Sequence, residues 1–403
     1  MSHPELHPRP LHPFPPSPPP DMSARSTRHL RLISALPDWS DHASDTGPRI
    51  IGVLPGEGIG PEIVAASLDV LDIVDQASPR RYEIRRSGKF GRKAAAAAGG
   101  GLTAEVADFC ASIYAANGAI LCGPAAGRFV YDLRKEFDLY CKFTPIQPVR
   151  ALRNVGPIKA EIVRSADLVV VRENVAGLYF GESFPGEGAG QSVHHRFGYE
   201  ESQVRRILTA ALRLAERRNG RLCVVLKPGG LPAISALWEG VLRDLTQSSP
   251  IQASILAIDQ AIHQMIAHPD RFDVVAAPNA FGDILSDGAS LLLGSRGMSF
   301  SGNFGAAGHA VFQAAHDPAP NLAGTGQANP LGQILALAMM LREHFGEAAF
   351  AATIEEAIEE TLAEGWRTAD IAEPGCRVVG TREMGQCVRR NLERLLADGP
   401  TPA

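Results

Sequence analysis

The sequence predicts an α/β protein, and three observations carry that prediction. From Arg49 onward, apolar runs of strand length alternate with stretches of helical periodicity. The first of these runs passes through a glycine-rich turn directly into a helical pattern. The composition, 45% hydrophobic and 21% charged over 403 residues, is that of a globular chain long enough for two domains or one large α/β domain.

Residues 1–47 stand apart from this texture. The run His12-Pro13-Phe14-Pro15-Pro16-Ser17-Pro18-Pro19-Pro20 forms neither helix nor central strand, and the Arg/Ser/His mixture after it lacks a periodic apolar face. The expectation is a disordered Pro-rich tail, with Met22 as an alternative initiator. Acids at Glu5 and Asp21 argue against an organelle transit peptide. Ile50–Leu54 then reads as a strand and Pro61–Asp75 as a helix with Pro61 at its first position. The turn between them, Gly56-Glu57-Gly58-Ile59-Gly60-Pro61-Glu62, invites a dinucleotide reading, but Gly60 follows Gly58 too closely for that fingerprint, so a Rossmann fold is rejected. Ala94–Ala98 with Gly99-Gly100-Gly101 reads as a low-complexity surface connection. Further strands are expected at Gly118–Leu121, Leu168–Val171 and Cys223–Leu226, and a helix at Val204–Arg218.

A formal net charge of −5, with no basic block interleaved with aromatics, gives no reason to expect a nucleic-acid partner. No apolar run reaches bilayer-spanning length, so no membrane partner is expected. Six cysteines without a Cys-x-x-Cys pair point to a reduced, cytoplasmic chain.

The chemistry concentrates in Asn279-Ala280-Phe281-Gly282-Asp283-Ile284-Leu285-Ser286-Asp287. On a helix, Asp283 and Asp287 share one face, where their repulsion calls for a cation or a basic side chain. With Asp259 as a third carboxylate, the oxygen-only set suits Mg²⁺ or Mn²⁺ rather than Zn²⁺. The plain alternative is a helix cap at Asp283 and a solvated Asp287.

In order along the chain come Gly56–Glu62, Leu133-Arg134-Lys135, Val171-Arg172-Glu173-Asn174 with Tyr179-Phe180-Gly181-Glu182, then Lys227, Asp259, Asn279–Asp287 and the loop His316–Pro330. This ordered set, from Arg49 to about Leu396, resembles the metal-dependent β-decarboxylating dehydrogenases: isocitrate, 3-isopropylmalate, homoisocitrate and tartrate/D-malate dehydrogenases. The resemblance implies a two-domain isopropylmalate-dehydrogenase-like fold with an extended mixed sheet, not a Rossmann fold. It places a first, cofactor-side domain at 48–140 plus 292–398, and a second, bearing the dimer interface and the metal and catalytic residues, at 141–291. It further implies a homodimer in which each site borrows Lys227 and Asp259 from the partner. Asp259, Asp283 and Asp287 would then be metal ligands, Lys227 and Tyr179 catalytic, Arg134 and Arg172 substrate-carboxylate clamps, and His316, Ala319, Asn321 and Asn329 contacts to the cofactor.

Several positions depart from the family pattern. Thr144 stands where the family has a third clamping arginine. Lys142 nearby either compensates or is an exposed loop lysine. Val130 and Tyr131, in the substrate-selecting stretch Gly127–Asp132, match neither the serine and asparagine of isocitrate enzymes nor the leucine pair of isopropylmalate enzymes. Asn321 is neutral where aspartate marks NAD users and lysine NADP users; Asp317 tilts the expectation to NAD, with NADP open. Gly229 replaces an asparagine near the nicotinamide ribose. The expected function is NAD(P)- and Mg²⁺/Mn²⁺-dependent oxidative decarboxylation of a non-standard, malate-like 2-hydroxy diacid. The competing expectation is a catalytically weak paralogue serving as a regulatory or binding subunit.

Overall fold

A computed structural model describes residues 30–40, 47–88, 101–125, 127–186 and 191–398. Its backbone is one ten-stranded mixed sheet. The strands are β1 (Arg49–Leu54), β2 (Tyr82–Arg86), β3 (Ala119–Cys122), β4 (Cys141–Ile146), β5 (Leu168–Glu173), β8 (Arg221–Leu226), β9 (Gln252–Ala257), β10 (Val274–Ala277), β11 (Phe300–Phe304) and β12 (Ala310–Ala314), with β6 (Glu182–Pro185) and β7 (Val193–Arg196) forming a separate hairpin. Spatial order is β2-β1-β3-β12-β11-β4-β5-β10-β8-β9. The expected strands at 50–54, 118–121, 168–171 and 223–226 and the helices at 61–75 and 204–218 are all present, the latter as Gly60–Ala77 and Glu201–Arg217. The alanine-rich stretch 94–98 lies outside the described residues.

The inner strands β1, β3, β4, β5, β8 and β10 are buried at every residue, which is why they read as unbroken apolar runs rather than alternating ones. The exception is β4, Cys-Lys-Phe-Thr-Pro-Ile, which carries a lysine and a proline in the middle of the sheet. Pro145 has no N–H to donate. It is tolerated because β11 pairs antiparallel only with Cys141, Lys142 and Phe143, leaving that flank of Pro145 outside the ladder. β4 also pairs antiparallel with β5, opposing Lys142 to Arg172 and Thr144 to Val170.

The first turn explains its glycines by packing. Gly58 has φ +57°, and a Cβ there would fall 2.0 Å from the Pro318 carbonyl oxygen, to which the Ile59 N–H donates at 2.9 Å. Gly58 therefore lets the β1 turn touch the loop after β12, with no phosphate cradle required.

One expectation needs correction. Residues 30–40, assigned by composition to a disordered tail, form an ordered strap; the rest of 1–47 that preceded Gly47 lies outside the described residues. Leu32–Ala35 is a short 3-10 turn whose Leu32, Ile33 and Ala35 are buried, and it packs on the Glu201–Arg217 helix. The Arg31 guanidinium donates twice to the Glu343 carbonyl, at 3.0 and 2.7 Å, and the Ile33 N–H donates to Glu343 Oε2 at 3.1 Å. Trp39 meets Phe304 and His344 edge to face. Burial pushes the Glu343 carboxyl up to about 7. No helix among the described residues is long and apolar enough to cross a membrane, and none of the six cysteines is in a disulfide.

Burying Leu32, Ile33 and the neighbouring Leu36 is worth roughly 1.5–3 kcal/mol each before the entropy of ordering the strap is subtracted. A chain beginning at Gly47 is therefore expected to melt several degrees lower in scanning calorimetry. An unchanged melting temperature would show that the strap contributes nothing to the fold.

Candidate active site

The site is assembled around the helix Asn279–Ala289, which follows β10. Pro278 offers no side-chain cap to the helix start, and the Asn279 N–H is met instead by the Tyr199 hydroxyl at 3.1 Å. Tyr199 is itself held edge-on against Trp238. Arg172, near the end of β5 and almost fully buried, then fixes the helix sideways. Its Nε and Nη2 both donate to Asn279 Oδ1, at 3.1 and 2.6 Å, and its Nη1 donates to Asp283. A Cβ at Gly282 would lie 2.8 Å from Arg172 Cγ, so this glycine is what lets the arginine pass beneath the helix.

Asp283 receives a second donor, the Tyr179 hydroxyl at 3.1 Å on Oδ2. Burial works against ionisation of Asp283, but Arg172, Lys142 and Arg134 together hold its carboxyl below the usual carboxylate range. Asp287, one turn on, moves the other way: burial raises it, the Asp283 charge adds to the rise, and Arg296 only partly offsets them through an ion pair at 2.9 Å. Burial, with Asp283 beside it, pushes the Tyr179 phenol up to about 12, so it keeps its proton at neutral pH.

Asp283 and Asp287 line a cleft of about 360 Å³ together with Val130, Tyr131, Arg134, Lys142, Arg296, Gln313, His316 and Asp317. The helix Phe129–Glu136 supplies its first wall. Tyr131 is a platform there: the Arg128 and Arg134 guanidinium carbons lie 5.5 and 5.6 Å from its ring centroid, and Tyr179 meets it edge-on at 5.4 Å. Lys142 has two readings, and its position decides between them. It is not an exposed loop lysine but a strand residue only 5% exposed, on the cleft wall. Thr144, two residues along, is fully buried, its Oγ1 without a partner, and does not reach that wall.

A second cavity, about 470 Å³, shares Arg296, His316 and Asp317 with the first and continues along Ile59, Ser295, Ala319, Leu322, Gln327, Asn329 and Asp370. Burial pushes the His316 imidazole below its usual range, and its Nε2 is buried without a hydrogen-bond partner among the described residues. Ala319 sits at φ +42°, a strained conformation for a residue with a Cβ. Asn329 is engaged structurally, accepting from the Leu331 N–H at 2.9 Å and donating to Asp370 at 3.1 Å. Asn321 is exposed and is not part of the wall. The Asp317 carboxylate faces Arg296 at 3.8 Å, so its negative charge is partly answered within the chain.

Lys227 and Asp259 lie elsewhere. They form an ion pair at 2.6 Å, with side chains 40% and 64% exposed, and neither lines the cleft of Asp283 and Asp287. Lys227 instead borders a small apolar cavity with Leu178, Tyr199 and Phe281. Among the described residues of one chain no three acidic, histidine or cysteine side chains come together as a metal cage. The sequence reading missed Asn279, Gly282, Arg296, Ser295, Gln327 and Asp370. Asn279 and Gly282 were legible as part of a motif, but Arg296 and Asp370 carry no local signal and meet the site only through the fold.

If a hard cation seats on Asp283 and Asp287, saturating Mn²⁺ should raise the melting temperature, about 2.7 kcal/mol of stabilisation at a hundredfold excess over Kd. Asp283→Asn should abolish most of that rise. No shift in the unmodified protein would contradict the metal assignment.

Residues 50–388 match the family model described as isocitrate/isopropylmalate dehydrogenase. The chain is 36% identical over 362 residues to a 3-isopropylmalate dehydrogenase of Aquifex aeolicus, covering 86% of this chain and 97% of that one. It is 37% identical over 366 residues to a 3-isopropylmalate dehydrogenase of Cupriavidus metallidurans, covering 84% and 98%. Among solved structures it resembles an isocitrate dehydrogenase from Methylococcus capsulatus, with TM-score 0.75, 28% identity and coverage of 86% and 99%. With matches that span nearly the whole described chain and a sheet of the expected mixed kind, the protein belongs to the isocitrate/isopropylmalate dehydrogenase family of decarboxylating dehydrogenases acting on a CH–OH group.

Proposed function

We propose that this dehydrogenase oxidatively decarboxylates a malate-like 2-hydroxy diacid other than the family's common substrates, with NAD and Mg²⁺ or Mn²⁺, as a cytoplasmic homodimer with shared sites. The observation that carries the reading is that Asp283, Asp287 and Arg134 line one cleft, adjoining the His316 cavity, with the Tyr179 hydroxyl donating to Asp283.

The residues fit both groups. Asp283 and Asp287 offer only oxygen donors, which suits a hard divalent cation. The buried, unpartnered His316 Nε2 and the strained Ala319 mark the longer cavity as built for a ligand, and its size suits the adenosine part of a dinucleotide. When bound, the cation supplies Lewis acidity at the substrate oxygens and the nicotinamide accepts a hydride.

The chain's own part is positioning and proton handling. Arg134, buried and without a hydrogen-bond or ion-pair partner among the described residues, takes a substrate carboxylate; Arg172 is already committed to Asn279 and Asp283 and acts chiefly by holding the helix. Tyr179 keeps its proton until the carbon that loses CO₂ needs one, and Asp283 fixes the phenol's direction. Lys227, lent with Asp259 by the partner, takes the hydroxyl proton. Tyr131 and Val130, facing the space beside Arg134, select the substituent on the substrate.

NADH and NADPH formation at 340 nm with Mn²⁺, against isocitrate, isopropylmalate, homoisocitrate, D-malate, tartrate and phosphonate or alkyl analogues, tests this reading. Turnover of one acid with NAD is expected. Silence across the panel, together with no Mn²⁺ shift in melting, would replace it with the non-catalytic subunit. Shared sites make a separate prediction: Lys227→Ala and Asp283→Asn chains, each inactive alone, recover roughly a quarter of full activity when unfolded and refolded together, because half the sites in half the dimers are intact. No recovery would mean that each chain completes its own site.

A further inference from the structure

Two buried basic side chains in the cleft have no hydrogen-bond or ion-pair partner among the described residues. Arg134 is 5% exposed, its Nε is buried without an acceptor, and its guanidinium makes no hydrogen bond or ion pair among the described residues. Lys142, also 5% exposed, likewise makes none. The other cations on or behind the wall are engaged, Arg172 with Asn279 and Asp283, and Arg296 with Asp287 and Asp317. A buried basic group without a hydrogen-bonded acceptor is unfavourable, so the ligand-free cleft holds two basic side chains that an entering anion would satisfy, with Asp283 and Asp287 the acids nearest them.

Strand geometry says why one of them is a lysine at 142. Lys142 and Thr144 are two apart on β4 in unbroken register with β5, so their side chains leave the same face, about 6.6 Å apart. The guanidinium that the family resemblance places at 144 is missing, and Thr144 stops short of the cleft. Lys142 fills the same face one pleat away and does reach it. A lysine offers a compact charge with three rotatable donors rather than a flat fork, so it tolerates a differently placed carboxylate.

Resting on the function proposed above, we propose that Lys142 is a specificity-determining residue that, with Arg134, grips one carboxylate of the 2-hydroxy diacid in place of an arginine at 144. The relocated cation shifts that carboxylate relative to the metal ligands, and this shift excludes the substrates for which a guanidinium at 144 is required.

The test uses malonate as a minimal dicarboxylate, titrated calorimetrically into the metal-free, full-length protein at low salt. The unmodified protein is expected to bind it. Lys142→Met, which keeps the volume and removes the charge, should weaken binding at least about tenfold, a change of about 1.4 kcal/mol. Lys142→Arg should stay within a few-fold, and Lys159→Met, at an exposed position, should match the unmodified protein. The ligand-free melting temperature separates a binding from a structural role. Removing a buried amine that has no hydrogen-bonded acceptor should leave it unchanged or raise it, whereas a lysine needed for packing would lower it. Equal malonate affinity in Lys142→Met, a fall in its melting temperature or failure to fold, or no malonate binding by the unmodified protein would each overturn the proposal. Malonate binding that depends on Lys142, with no turnover on the acid panel, would retire the proposed reaction and leave the carboxylate site standing.

Discussion

The site depends on one buried contact, Arg172 to Asn279 and Asp283. A guanidinium this deep is tolerable only if its donors are satisfied, and here a strand end supplies the arginine while a helix start supplies the acceptors. The contact joins secondary structure to chemistry. It sets the rotation of the helix, which sets where Asp283 and Asp287 point, and it demands the missing side chain at Gly282. A lysine could not do this work, because one ammonium cannot bridge two acceptors in a flat fork.

Around that anchor the cleft is an exercise in unequal charge. The two helix carboxylates sit one turn apart, yet one is held low by neighbouring cations and the other lifted by burial and by the first. Such a split is how like-charged neighbours coexist before a ligand arrives. The opposite wall carries Arg134 and Lys142, which have no hydrogen-bond or ion-pair partner among the described residues, and the two walls together describe a ligand with both anionic ends and metal-binding oxygens.

Much of this was legible in the sequence. The buried parallel strands announced themselves as apolar runs, Gly60–Ala77 by proline at its start, and the carboxylate pair by its four-residue spacing. What the sequence left open or hid shares a physical cause. Lys142 lies in a segment with a charge and a proline, which local pattern reads as a loop, and only the partial pairing of β11 reveals a strand. The strap at 30–40 is short and follows a proline-rich run, so composition averaged over 1–47 hid a few apolar residues that the fold collects. Arg296 and Asp370 have no sequence neighbours that hint at chemistry. They join the site because turns and loops fold them back onto it, Arg296 onto Asp287 and Asp370 onto Ser295 and Asn329, which periodicity cannot see.

The strap has a mechanical meaning as well. Its 3-10 turn rests on the Glu201–Arg217 helix, built from the half of the chain that supplies β5, β8, β9 and β10, while Arg31, Ile33 and Trp39 hold Glu343, His344 and Phe304, which come from the half that supplies β11 and β12. It is thus a non-covalent tie across the two halves that bound the cleft. Any hinge motion that drew those halves apart would have to peel its eleven residues, which belong to neither wall, from one side.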